Sequence, residues 1–117
     1  MHNFKKLRIW IDAMDLVKEN YILTKSFPNS EKYSLSSQMN RAVVSIPSNI
    51  AEGTSKNSNK HFKKYLEDSL GSAFEWETQL IIAFNQGYLT KEKLEILEDK
   101  ITQIQKMISK FKSNLDF

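Results

Sequence analysis

The sequence predicts an all-α fold, an antiparallel up-down-up-down four-helix bundle. Apolar residues recur at three- and four-residue spacing through most of the chain, the period of a helix with one buried face. Only three Gly and two Pro occur in 117 residues, so the helices are long. Short polar segments separate them, and short connections favour antiparallel neighbours. The length, with 40% apolar residues, suits a single domain, 1–117, with a packed core.

The first helix is expected over about 7–25, with Leu7, Trp10, Ile11, Met14, Val17, Tyr21 and Ile22 on its core face. Phe27 and Pro28 end it, because the residue before proline is pushed out of the α region. Ser34 is placed as cap of a second helix beginning at Leu35. Its stripe is Leu35, Met39, Ala42, Val43, Ile46 and Ile50. Pro47 falls inside that pattern and predicts a kink near 43–47 or a break into two short helices. Gly53 fits the left-handed position after a helix end. Ser58 caps a third helix over about 59–86, with Phe62, Tyr65, Leu66, Ala73, Trp76, Leu80 and Phe84 inward and Gly87 closing it. Thr90 caps the fourth helix, whose stripe Leu94, Leu97, Ile101, Ile104, Ile108, Phe111 and Leu115 steps 3, 4, 3, 4, 3, 4.

Some apolar residues exceed what one bundle buries. Ile9, Leu16 and Leu23 form a second line on the first helix, opposite the first. A four-helix monomer cannot cover both sides of one helix, so this line is assigned to contact with other copies of the chain. Leu70, Phe74 and Ile81 widen the apolar arc of the third helix and are assigned likewise. Gly71, in the middle of that helix, marks either a close approach by another backbone or a tolerated surface position.

Composition excludes several chemistries. With no Cys there is no disulfide scaffold, zinc finger or cysteine nucleophile. Two His, His2 and His61, leave almost no material for a metal site or a Ser-His-Asp triad, and neither supplies the Glu-x-x-His pair of a di-iron bundle. Glu95, Glu98 and Asp99 are the densest carboxylates but are placed mostly on the outer side of their helix. There is no Gly-rich phosphate loop. The expectation is no catalytic residue, no cofactor and no metal. No apolar run is long enough to span a membrane, and the N-terminal residues lack a leader pattern. A cytoplasmic location is expected.

The net charge is +3. Lys56, Lys60, His61, Lys63 and Lys64 lie within nine residues free of acid. Lys5, Lys6 and Arg8 form a second basic group, and Lys100, Lys106, Lys110 and Lys112 a third. Such clusters attract phosphates through charge and counterion release. Lys56, Lys60, Lys63 and Lys64, then Lys5, Lys6 and Arg8, are assigned as contacts to RNA or DNA, against the alternative of solvated faces that serve solubility. Glu77 lies near the core arc of its helix and needs a partner, for which Arg41 is the candidate. Arg41, Asn49, Glu52 and Glu77 are grouped as a structural polar network.

Residues 45–53, SIPSNIAEG, resemble the signature of a bacterial four-helix-bundle family. Its members were first noticed as open reading frames in intervening sequences of 23S ribosomal RNA genes. Phe4, Leu7 and Trp10, then Phe27, Pro28, Glu31 and Tyr33, then 38–44 (QMNRAVV), Phe62, Gly71, Ser72, Glu75, Glu77 and Gly87 also fit in order. The resemblance covers nearly the whole chain. It implies a bundle that assembles as a homopentamer, with Arg41, Asn49 and Glu52 as architecture and no catalytic residues. A related accessory protein of diversity-generating retroelements is a basic pentamer that binds nucleic acid and a reverse transcriptase. Many relatives carry two adjacent basic residues where this chain has Asn40 and Arg41, which removes one positive charge per subunit here. The function expected on these grounds is non-enzymatic binding of structured nucleic acid, RNA before DNA, by a homo-oligomer. The alternative is a scaffold that docks a protein partner such as a nucleic-acid enzyme.

Overall fold

Among the described residues there are four α-helices: α1 (Arg8–Lys25), α2 (Leu35–Thr54), α3 (Asn59–Asn85) and α4 (Lys91–Ser113). The computed structural model describes residues 3–115. Met1 and His2, part of the leader and metal readings, lie outside the described residues. Short 3-10 turns, Phe4–Lys6 and Asn29–Glu31, precede α1 and α2. Among the described residues there is no strand. The body is compact and measures 46 × 25 × 20 Å.

Local chemistry explains the helix ends. Ser58 Oγ accepts the His61 N–H at 3.2 Å, and Thr90 Oγ1 accepts that of Lys93 at 3.1 Å. Each satisfies one orphan donor of a first turn. Ser34 precedes α2 but makes no side-chain cap bond. Glu31 does that work instead: Oε1 accepts the Leu35 N–H at 3.3 Å while Oε2 accepts the Tyr88 hydroxyl at 2.7 Å. Gly87 has φ +81. Its N–H donates to the Phe84 carbonyl at 2.9 Å, and the Tyr88 N–H to Ala83 at 3.0 Å. That pair of bonds requires a left-handed residue at this point, which glycine adopts without strain.

At α2 one alternative and one expectation are corrected. The helix runs through Pro47 without dividing in two. Gly53 lies inside the helix, and its φ is not positive. What it provides is room. A Cβ there would stand 2.8 Å from Phe62 Cδ1 and 2.9 Å from Tyr65 Cβ. The α2–α3 seam, the most extensive between helices, is built from other small residues as well. Ser69 Oγ donates to the Ile46 carbonyl at 2.8 Å, and Ser72 Oγ to Ser45 Oγ at 2.9 Å. Asn49 Nδ2 donates back to the Ser45 carbonyl and hydroxyl. The signature stretch is thus a helix-packing device.

The apolar stripes of α2, α3 and α4 face the core as their spacing predicts, except that Tyr65 and Phe84 of α3 are only half-buried, Tyr65 lining a surface hollow. Helix α1 is turned only partly as expected. Ile9, Leu16 and Leu23, assigned above to contacts between copies, are buried with Ala13 and Asn20. Of the residues assigned to the core, Ile11, Met14, Tyr21 and Ile22 are exposed, while Leu7, Trp10 and Val17 are half-buried against it. Trp76 supplies the physical reason. It is fully buried, and its indole N–H needs an acceptor. Asn20 Oδ1, also fully buried, accepts it at 2.9 Å. Asn20 Nδ2 donates to Asn40 Oδ1 at 2.8 Å, and the Thr24 hydroxyl donates to the same oxygen at 3.0 Å. Turning Asn20 inward brings Ile9, Ala13, Leu16 and Leu23 with it, since these positions share its helix face.

Candidate nucleic-acid interface

The three basic groups become one neighbourhood through packing. Gly53, at the end of α2, lies against Phe62 at the start of α3. The Phe62 ring contacts the Phe111 ring near the end of α4, centroids 5.6 Å apart. At the start of α1, Trp10 shares a groove with Pro47, Ser48 and Ala51 of α2, and the Phe4 ring stacks edge-on against Trp10. The start of α1, the α2–α3 turn and the last turns of α4 therefore gather at one end of the molecule. That end carries Lys5 and Lys6, then Lys56, Lys60, Lys63 and Lys64, then Lys106, Lys110 and Lys112.

Within it, the turn offers the most developed surface. The Lys56 ammonium lies 4.9 Å from the centroid of the Tyr65 ring, a cation–π contact. Lys56, His61, Lys64 and Tyr65 line a hollow of about 430 Å³. His61 Nδ1 is 2.8 Å from Ser58 Oγ. Lys60 and Lys64 are exposed, and Lys56 and Lys63 are half-buried. An array of ammonium groups beside an aromatic face can hold phosphates and stack a base.

Other assigned residues fall differently. Arg8 is held by Asp12 at 3.1 Å, which offsets its charge. Lys100 leaves the basic group altogether. It pairs with Asp15 at 3.4 Å and Glu19 at 3.9 Å, tying α4 to α1. Lys112 is 3.9 Å from Glu67.

The polar network is also redrawn. Arg41 does not reach Glu77; it is exposed and forms no ion pair or hydrogen bond among the described residues. Glu52 is exposed as well. Asn49 belongs to the α2–α3 seam. Glu77 instead accepts from Gln105 Nε2 of α4 at 2.8 Å. It also shares a hydrogen bond with Glu98, which is half-buried rather than turned outward. The bond to Glu77 pushes the Glu98 carboxyl up to about 7, reinforced by burial and the Glu77 charge. The Glu98 bond draws Glu77 below the ordinary carboxylate range, against burial, with help from Gln105. Near neutral pH the two carboxyls share one proton.

Met14 and Val44 expose apolar surface between α1 and α2, flanked by the half-buried Trp10 and Val17. Trp10, Met14 and Val17 border Val44, Pro47 and Ala51 in a hollow of about 310 Å³. On α3, Phe74 and Ile81 are exposed as assigned, whereas Leu70 packs partly against the core. Gly71 has open space where a Cβ would stand. Among the described residues no helix is long and apolar enough to cross a membrane, and no three His, Cys, Asp or Glu are grouped to hold a metal.

The sequence model of the 23S rRNA-intervening sequence protein family matches residues 5–110. A crystal structure of a protein of unknown function from Bacteroides thetaiotaomicron VPI-5482, of the S23 ribosomal protein family, has a TM-score of 0.83 to this fold. It is 25% identical, and the alignment covers 90% of this chain and 95% of that one. Among curated proteins, none matches.

Proposed function

The chain belongs to the 23S rRNA-intervening sequence protein family, and on that footing we propose that it binds structured RNA through its lysine-rich end, without catalysis. The convergence of three lysine groups on that end carries the reading. Binding to phosphates makes affinity steeply salt-dependent and only weakly dependent on sequence.

The proposal includes an up-down-up-down topology and a homopentamer acting in the cytoplasm. Contacts between neighbouring helices support the topology. Trp10 and Ala51 share one groove while Asn20 bonds Asn40; Ser45 meets Ser72 while Gly53 meets Phe62; Glu77 meets Gln105 while Glu67 meets Lys112. Two separate apolar faces support a ring: Met14 and Val44, flanked by the half-buried Trp10 and Val17, on one side, and Phe74 and Ile81 on α3. Two different faces joined head to tail generate a closed ring when the rotation closes. Each copy would then repeat the lysine cluster and multiply its field.

The test replaces Lys56, Lys60, Lys63 and Lys64 with Gln and titrates both proteins against a fluorescent structured RNA. The expected result is a loss of affinity of about tenfold or more, with the helical spectrum unchanged. Unchanged affinity would remove this surface from the interface. Affinity of the unaltered protein no tighter than about 10⁻⁴ M near physiological salt would turn the search to a protein partner.

A further inference from the structure

At the other end of α1 a hollow of about 370 Å³ opens between the last turn of that helix and the start of α2. Lys25, Asn29, Lys32, Ser36 and Asn40 line it. Its polarity is set from inside the core. The Trp76 indole can only donate, so it fixes Asn20 with Oδ1 inward at 2.9 Å. Asn20 must then present its amide nitrogen to Asn40, whose Oδ1 accepts at 2.8 Å. The same oxygen accepts the Thr24 hydroxyl at 3.0 Å. With both lone pairs engaged, Asn40 has only its Nδ2 donors left for the hollow. Ser36 is 7% exposed, and its Oγ is buried with no hydrogen-bond partner. A buried hydroxyl without a partner is costly, and a ligand atom would satisfy it. Lys25 and Lys32 are exposed, and neither forms an ion pair among the described residues; the Lys32 ammonium rests 5.4 Å from the centroid of the exposed Tyr33 ring, a contact a phosphoryl group would replace. The nearest acid in sequence, Glu31, is not in the lining. Its two oxygens are spent on the Leu35 N–H and the Tyr88 hydroxyl.

We propose that this hollow binds a phosphoryl group, carried by a small molecule or by the end of a nucleic-acid strand. Two lysines, an asparagine with free amide donors and a serine line the hollow, with no carboxylate among them. That set matches a dianion with three acceptor oxygens better than a carboxylate with two. The volume leaves room for the group's ester substituent. The site shares none of the lysines assigned to structured RNA.

Calorimetric titration of the full-length chain tests it, with inorganic phosphate, uridine 5′-monophosphate and a 5′-phosphorylated RNA tetramer at constant ionic strength. The expected result is saturable binding with a Kd of about 1 mM or tighter for at least one of them. Asn40→Asp keeps the acceptor for Asn20 and Thr24 but replaces the donors with charge, and should weaken binding by about tenfold or more. Lys32→Gln, at an exposed position that leaves the fold alone, should weaken it by about threefold or more. Saturation by phosphate or the mononucleotide supports a small-molecule source, and saturation by the tetramer alone supports a strand end. No saturable heat with any of the three, or binding that both variants leave unchanged, overturns the proposal.

Discussion

Alanine at Gly53 and at Gly71 should move stability in opposite directions, although both glycines lie within helices. Relative to glycine, alanine gains about 1 kcal/mol of helix propensity at either site. At Gly71 nothing lies within 4 Å of the added methyl, so that gain is kept. At Gly53 the methyl meets Phe62 Cδ1 at 2.8 Å and Tyr65 Cβ at 2.9 Å. A phenyl ring can tilt, but the Tyr65 Cβ is fixed to the α3 backbone. Relief therefore requires α2 and α3 to move apart, against the Ser69–Ile46 and Ser72–Ser45 hydrogen bonds. Overpacking of this kind costs about 1–3 kcal/mol. Gly53→Ala should thus be net destabilising by about 1 kcal/mol, and the two variants should differ by about 2 kcal/mol. For a domain of this size that is a separation of roughly 10 °C in Tm. Thermal melts followed by circular dichroism, at one fixed protein concentration, read it directly. A Gly53→Ala protein melting at or above the unaltered chain would refute the close-approach argument.

Three further outcomes follow from the same contacts. Asn20→Ala leaves the Trp76 N–H without its acceptor and opens a cavity, and should cost about 3 kcal/mol in denaturant unfolding; a loss below about 1 kcal/mol would mean the buried chain of bonds contributes little. The Glu98 carboxyl is held at about 7 in the fold against an ordinary 4.5, so the folded state binds more protons between these values and stability falls as pH rises through them. Glu77, shifted down, contributes stability that is lost only in more acid solution. The Tm should decline from about pH 5 to about pH 8, and Glu98→Gln, whose amide can still donate to Glu77, should flatten that decline; an unchanged slope in the variant would assign it to other groups. Met14→Glu, on the exposed apolar side of α1, should reduce the sedimentation mass without changing the helical spectrum; an unchanged mass would place self-association elsewhere.

Four helices, their caps at Ser58 and Thr90, and the glycine closure at Gly87 were legible because each depends on neighbours close in sequence. The orientation of α1 was not. Its more exposed line, with Met14, Tyr21 and the half-buried Trp10 and Val17, is more apolar than the line that is buried, which includes Ala13, Asn20 and Thr24. Only the buried Trp76 N–H, remote in sequence, explains why an asparagine faces inward. Gly53 was misread for a similar reason. A glycine near a helix end signals a cap, whereas the aromatic ring that demands it comes from the next helix. Arg41 and Glu77 have complementary charge, but the lateral register of α4 delivers Gln105 and Glu98 to Glu77. The lysine clusters were visible individually. Their union at one end, and the loss of Lys100 to Asp15 and Glu19, needed the fold.

The central claim is phosphate contact by the lysine-rich end, and the salt dependence of structured-RNA binding tests it most directly. If the claim holds, log K against log salt should have a slope steeper than about −3, and each Lys→Gln change at Lys56, Lys60 or Lys64 should make it shallower by about 1. A slope near zero, or one that these substitutions leave unchanged, would contradict the account.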